Sequence, residues 1–186
     1  MKWQRWAVLI VVAVQLAVPA WMIFSRERIL ATGTAFRFRT APVDPYDAFR
    51  GRYVALRFDQ TQAAAPAGPE LRRGQKTFAV LETDKDGFAH FKELRRERPA
   101  SEPYLTVRVG YYSSGSIVNL ELPFDRFYME ERTAPAAEQA YRQNSRRDSQ
   151  NASVIVRIRG GRGVIENLLI GDVPIAEYVR NQKPGS

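Results

Sequence analysis

The chain has no cysteine. That removes disulfides, thiolate nucleophiles and sulfur-ligated metals together, and leaves the redox character of its compartment open. Histidine is almost as scarce. His90 stands alone among 186 residues, so a multi-histidine metal site is impossible and a serine–histidine mechanism has a single available base. No metal-ligand set, phosphate-cradling glycine loop or nucleophile motif stands out either, so neither a metal nor a cofactor is expected.

Acidic residues are outnumbered, and the formal net charge is +8. The basic residues run from Arg26 to Arg180 and alternate with acids in stretches such as KELRRERPASE. That is a solvated arginine-rich surface rather than a nucleic-acid groove, and mild attraction to anionic lipid headgroups accounts for it. Disorder is excluded as well: 45% hydrophobic and 26% charged residues describe a chain able to build one core.

What the sequence does have is one long apolar run. Trp6 to Phe24, WAVLIVVAVQLAVPAWMIF, carries no charge and one amide, Gln15, and as a helix rises about 28 Å, enough to cross a bilayer. Trp3, Trp6 and Trp21 fall where interfacial aromatics belong, Lys2 and Arg5 precede the run, and Arg26, Glu27 and Arg28 follow it. Val18-Pro19-Ala20 resembles a signal-peptide cut site. The apolar run nevertheless continues through WMIF, and Pro19 is a poor neighbour for cleavage, so an uncleaved anchor is expected. Pro19 is expected to kink or end the last turns. The expected organisation is a cytoplasmic tail at 1–5, a transmembrane anchor at 6–24 and an extracytoplasmic β-rich domain at 25–186. In a Gram-negative cell this is a single-pass inner-membrane protein with its C-terminal domain in the periplasm.

Beyond the anchor the pattern is of strands. GTAFRFRT and RYVALRFD alternate with period two, and three hairpins follow: KTFAVLET with GFAHFKEL through Asp84-Lys85-Asp86-Gly87, YLTVRVGYY with SIVNLELPF around Ser113-Ser114-Gly115, and VIVRIRG with GVIENLLIG at Gly160-Gly161. TQAAAPAGPELRRG reads as an exposed loop or a short helix-prone excursion. TAPAAEQAYRQNSRRDS has Thr133 as N-cap, Pro135 early and Ala137 and Tyr141 one turn apart, which predicts a helix near 133–147 and the only one outside the membrane. The fold class is therefore mainly β, a small antiparallel barrel or sandwich of hairpins with one covering helix, behind one transmembrane helix.

Candidate chemistry is thin. In PVDPYDAFRGRYVALRF, Asp44 and Asp47 read as turn caps among Pro42 and Pro45, and Gly51 as the entrance to a strand. Along that strand Leu56 and Phe58 share one face, and Tyr53, Ala55 and Arg57 the other. FDRFYMEE offers a pocket wall of Arg126, Phe127, Tyr128, Glu130 and Glu131, with Arg126 holding an anion; alternatively the aromatics fill the core and the acids face the positive end of the next helix. His90 reads as a surface histidine. Ser25 lies too close to the membrane for a serine–lysine peptidase. Two further functions stay open: an envelope hydrolase using Glu130 and Asp44, which needs its carboxyl groups about 5 to 10 Å apart, and a small-ligand sensor with an apolar pocket of Tyr111, Tyr112, Phe127 and Tyr128.

Taken together, these motifs resemble the membrane-anchored proteins named for a GDYXXLXY motif. Here it stands as Gly51-Arg52-Tyr53-Val54-Ala55-Leu56-Arg57-Phe58, with Arg52 in place of the aspartate and Phe58 in place of the last tyrosine. QLAVPAWMI, LATG at Leu30 to Gly33, PVDP at Pro42 to Pro45, Arg50, RFYMEE and GRGVIENLLIGD are similar to the same pattern and cover most of the chain. The resemblance implies a single-pass anchor, a β-rich domain outside the cytoplasm and no established enzymatic activity. It also implies an accessory role beside a multi-pass membrane protein. Because Arg52 replaces the motif's acid, no chemistry that depends on that carboxylate can operate here.

Overall fold

The computed structural model describes residues 2–41, 53–114, 116–146 and 150–182. Five candidate residues, Asp44, Pro45, Asp47, Arg50 and Gly51, lie outside the described residues, as do Arg52 and Gly115 of the expected turns.

The N-terminal helix, α1 (Lys2–Thr32), is longer than the apolar run at both ends. It passes through Pro19 instead of ending there, and Ser25 to Thr32, beyond the expected anchor at 6–24, form two further turns. A proline's missing N–H removes one helical bond, which a long helix with turns formed on both sides tolerates. By length and composition Trp6–Thr32 is able to cross a membrane: an 18-residue stretch within it reaches a mean hydropathy of 2.4 and has no buried residue. The added turns differ from the span in one respect, since Ile29 is 5% exposed and packs on the domain that follows.

That domain is a nearly closed, barrel-like antiparallel sheet. One five-stranded sheet is ordered β12 (Val173–Pro174), β11 (Arg162–Ile170), β10 (Ala152–Arg159), β1 (Thr34–Ala41), β3 (Arg57–Phe58). The other is β4 (Gln62–Ala64), β8 (Ile117–Glu121), β7 (Tyr104–Ser114), β5 (Lys76–Thr83), β6 (Ala89–Arg95). Single bridges stitch their corners at Arg37 with Phe88 and at Leu105 with Gly161. A two-stranded ribbon of β2 (Tyr53–Ala55) and β9 (Arg126–Tyr128) stands at the remaining gap. All three expected hairpins form, with Phe78 opposite Arg95, Arg108 opposite Glu121 and Arg159 opposite Arg162. In the first, the Asp84 carboxylate accepts from the backbone N–H groups of Asp86 and Phe88, the mechanism by which an Asx turn fixes a short loop.

Strand alternation selects the core. Phe36 and Phe38 point inward from β1 while Arg37 and Arg39 point out, where Arg37 pairs with Asp172 at 2.8 Å, Arg39 with Asp86 at 2.9 Å, and both guanidinium groups lie over the Phe88 ring. Inside, Phe38 meets Phe58, Phe91 and Phe124 with ring centroids 6.0, 6.1 and 6.2 Å apart, and Phe58 meets Phe124 edge-on at 5.4 Å.

Three details depart from the sequence expectation. The loop from Thr61 to Gly74 contains a strand, β4, with Ala63 buried on the sheet and Leu71 buried further on. Beyond the helix α2 (Ala134–Asn144) the β-domain has another, α3 (Ile175–Gln182), seated by Ile175 and Val179 four residues apart. Thr133 occupies the N-cap of α2 without a side-chain cap, because its hydroxyl donates to the Glu130 carbonyl.

Tyr141 ties α2 to the barrel. Its ring is fully buried and its hydroxyl donates to the Ala41 carbonyl at 3.2 Å, at the end of β1. Burial pushes this hydroxyl above its ordinary value of 10.0, so its share of stability is complete below pH 10 and is lost as pH rises through the folded value. Tyr141→Phe is expected to cost about 1 kcal/mol at neutral pH through the orphaned carbonyl. Its stability should also decline less steeply above pH 10, read by urea titrations at several pH values.

Candidate functional site

A hollow is formed where α1 leaves its apolar stretch. A groove of about 750 Å³ runs between the helix, which contributes Ile23, Arg26, Glu27 and Leu30, and the segments Pro123 to Tyr128 and Gly163 to Glu166 of the barrel. Its sequence origin is plain on both sides. The helix continues because Ser25 to Thr32 hold no breaker, and β9 stands opposite because the motif strand pairs with it.

That pairing explains the motif. Tyr53, Val54 and Ala55 lie opposite Tyr128, Phe127 and Arg126, the Leu56 N–H donates to the Asp125 carbonyl at 2.8 Å, and then the strand changes partner so that Arg57 and Phe58 join Ala41 and Thr40 of β1. The run RYVALRFD, expected as one strand, is therefore two short ones that bind the groove wall to the central sheet. Its faces fall as alternation requires: Val54, Leu56 and Phe58 are buried, Arg57 is exposed, and Tyr53 and Ala55 are half-buried. Leu56 and Phe58 also line a second hollow of about 520 Å³ with Leu120, Leu122 and Phe124.

On the outer face of the ribbon, the Tyr53 and Tyr128 rings meet at 5.6 Å, and the Arg126 guanidinium lies 4.9 Å from the Tyr53 ring centre. A hydrogen bond to Tyr128, and then the charge of Asp125 at 3.5 Å, hold the Arg126 guanidinium above its usual range. Arg126, Phe127 and Tyr128 thus line the groove, whereas Glu130 and Glu131 do not. Those two acids are exposed in the turn that leads into α2, where the Glu130 carbonyl accepts from Thr133 and Ala134.

The acids that do line the groove, Glu27, Asp125 and Glu166, were not candidates from sequence. Glu166 is held by both arms of Arg157 at 2.8 and 3.0 Å, and Asp125 by Arg126. Only the alternation of GVIENLLIG pointed to Glu166, and nothing local marked it as a neighbour of α1. Tyr111 and Tyr112 are not part of this wall: Tyr111 is exposed on β7, and the Tyr112 hydroxyl accepts from the Leu71 N–H. The four-aromatic pocket expected of a sensor is therefore not assembled here. His90 sits half-exposed on β6, 3.9 Å from Glu82. Among the described residues no group of three His, Asp or Glu side chains is placed to hold a metal ion.

Comparison with known proteins gives one positive finding. A family model described as GDYXXLXY protein matches residues 15–168, most of the chain, from the middle of α1 to Leu168 in β11. No curated protein and no solved structure matches.

Proposed function

The chain belongs to the GDYXXLXY family, and on that premise we propose that it is a single-pass accessory protein of the bacterial inner membrane, with its N-terminus cytoplasmic and its β-domain periplasmic. Its role is to bind and help assemble a polytopic membrane protein in the same bilayer. The observation that carries this reading is the unbroken course of α1 from a fully exposed apolar stretch into turns that pack on the barrel. A cut after Ala20 would strand Trp21, Met22, Ile23 and Phe24, each 59% exposed or more, in water ahead of the docked turns. As an anchor, the same residues lie in lipid.

The partner is inferred from Gln15. Its amide stands midway between Trp6 and Phe24, on an exposed face, where hydrocarbon offers no hydrogen-bond partner. A polar group of another transmembrane helix supplies one. The groove favours binding over hydrolysis, because two of its three carboxylates, Asp125 and Glu166, are already engaged by the arginines Arg126 and Arg157.

Affinity purification of the full chain in native lipid discs, followed by mass spectrometry, tests the reading. A multi-spanning protein should co-purify, and Gln15→Leu should reduce its recovery roughly fivefold, as expected for the loss of about 1 kcal/mol of interhelical hydrogen bonding. Recovery of the chain alone, together with turnover of an envelope polymer by the purified protein, would refute it.

A further inference from the structure

The groove fixes more than a partner's neighbourhood; it fixes how deep the barrel sits. Trp3 and Trp21 are both strongly exposed and stand about 27 Å apart along the helix axis, close to the thickness of a hydrocarbon core. Trp21 therefore marks the outer interface of a helix that spans. Ile23 is two residues further on, about 3 Å along the axis, and it lines the same groove as Arg126 and Tyr128. The β2–β9 ribbon is thus level with the zone where the hydrocarbon gives way to headgroups.

The chemistry of the ribbon matches that depth. Among the described residues outside α1, Tyr111 and Tyr128 are the strongly exposed aromatics, and of the two only Tyr128 stands beside the helix. It is 61% exposed, in edge-to-face contact with Tyr53, next to an Arg126 side chain that keeps 41% of its surface open. A tyrosine ring with a polar tip and an arginine able to grip phosphate through two N–H groups are the side chains the interfacial zone selects. Asp125, 3.5 Å from Arg126, adds a carboxylate for an ammonium group, so the pair suits a zwitterionic headgroup better than a purely anionic one.

We propose that the outer face of the β2–β9 ribbon is a bilayer-contact surface, with Tyr53, Arg126 and Tyr128 seated among the phospholipid headgroups that α1 has just crossed. This rests on the anchor reading above, and it gives the first tyrosine of the family motif a task the core does not require.

The absence of native cysteine makes the test direct. Single variants Glu130→Cys, two residues beyond Tyr128, and Val14→Cys, in mid-span, are labelled with a small environment-sensitive fluorophore in the full chain and reconstituted into phosphatidylcholine vesicles. The vesicles carry nitroxide quenchers either at the headgroup or deep in the acyl chain. The Glu130 label should be quenched at least about twofold more by the headgroup nitroxide than by the deep one, and the difference should halve when Arg126→Ala and Tyr128→Ala are added. The Val14 label should show the opposite order. A Val14 label quenched by neither nitroxide overturns the anchor and the contact surface together. A deep Val14 label with an unquenched Glu130 label overturns the contact surface alone, as does a Glu130 signal that the double substitution leaves unchanged.

Discussion

Gly161→Ala is expected to destabilise the barrel by about 3 kcal/mol or more, whereas the same change at the adjacent Gly160 costs about 1 kcal/mol. Both glycines turn the β10–β11 hairpin with positive φ, 76° at Gly161 and 56° at Gly160, so both substitutions pay for a left-handed backbone. They differ in what surrounds the added methyl group. At Gly160 its nearest neighbour is the tip of the flexible Arg98 side chain at 3.9 Å. At Gly161 it would fall inside the ring edge of Tyr104 and 2.6 Å from the Thr106 hydroxyl. Neither can retreat cheaply, since Tyr104 is 8% exposed and packed edge-on against Phe78 at 5.6 Å. The Gly161 carbonyl also accepts from the Thr106 N–H at 2.8 Å, the contact that closes this corner between the two sheets. Thermal unfolding of the detergent-solubilised chain should therefore show a far larger drop for Gly161→Ala than for Gly160→Ala. Equal drops would mean that the corner is not a point of closure.

That corner also shows what a sequence can and cannot carry. Gly160-Gly161 announced a turn, because local backbone demands are written in local residues; that the turn also latches a second sheet depends on Tyr104 and Thr106, over fifty residues away. The motif strand follows the same rule. Alternation put Leu56 and Phe58 on one face and Tyr53, Ala55 and Arg57 on the other, as they stand, since a period of two dictates faces whatever the partner. It could not show that pairing switches from β9 to β1 at Leu56, because partner choice is a long-range property. Helix α3 was missed for want of length, although Pro174 before Ile175, with Val179 one turn on, is the pattern that a short capped helix leaves.

The candidate site divides likewise. Arg126, Phe127 and Tyr128 stood out as aromatic and basic residues crowded together, and they do line the groove. The opposite wall was not legible, since Arg26 and Glu27 were read as flanks of a membrane span and Leu30 only as part of LATG, with the anchor expected to end at Phe24. The burial of Ile29 and the hydrogen bonds from β10 to Thr32 and Gly33 make those turns part of the domain.

The joint at which they end is the most sensitive point for function. Gly33→Ala is expected to cost about 2 kcal/mol and to free α1 from the barrel, so that the ribbon no longer keeps a fixed depth. An added Cβ would meet the Ile29 carbonyl at 2.5 Å and the Ile158 nitrogen at 3.1 Å, and the backbone on each side is engaged. The Gly33 N–H donates to that same Ile29 carbonyl at 2.8 Å, while the Gly33 carbonyl accepts from Arg157 at 3.2 Å. Arg159 reaches the Thr32 hydroxyl, so two arginines of β10 hold the negative end of the helix, and Glu166 orients one of them. Relief of the clash means lifting the last turn of α1 off β10, which pulls Ile29 from its site and opens the groove. The helix still inserts, because its apolar stretch is untouched, but the barrel swings on a loosened joint. Headgroup quenching of a label at residue 130 should then fall towards the level of the Arg126→Ala, Tyr128→Ala protein, while a label at residue 14 keeps its full deep quenching. If Gly33→Ala leaves both labels as they were, the orientation of the barrel is set by the ribbon's own grip on the bilayer and not by the helix joint.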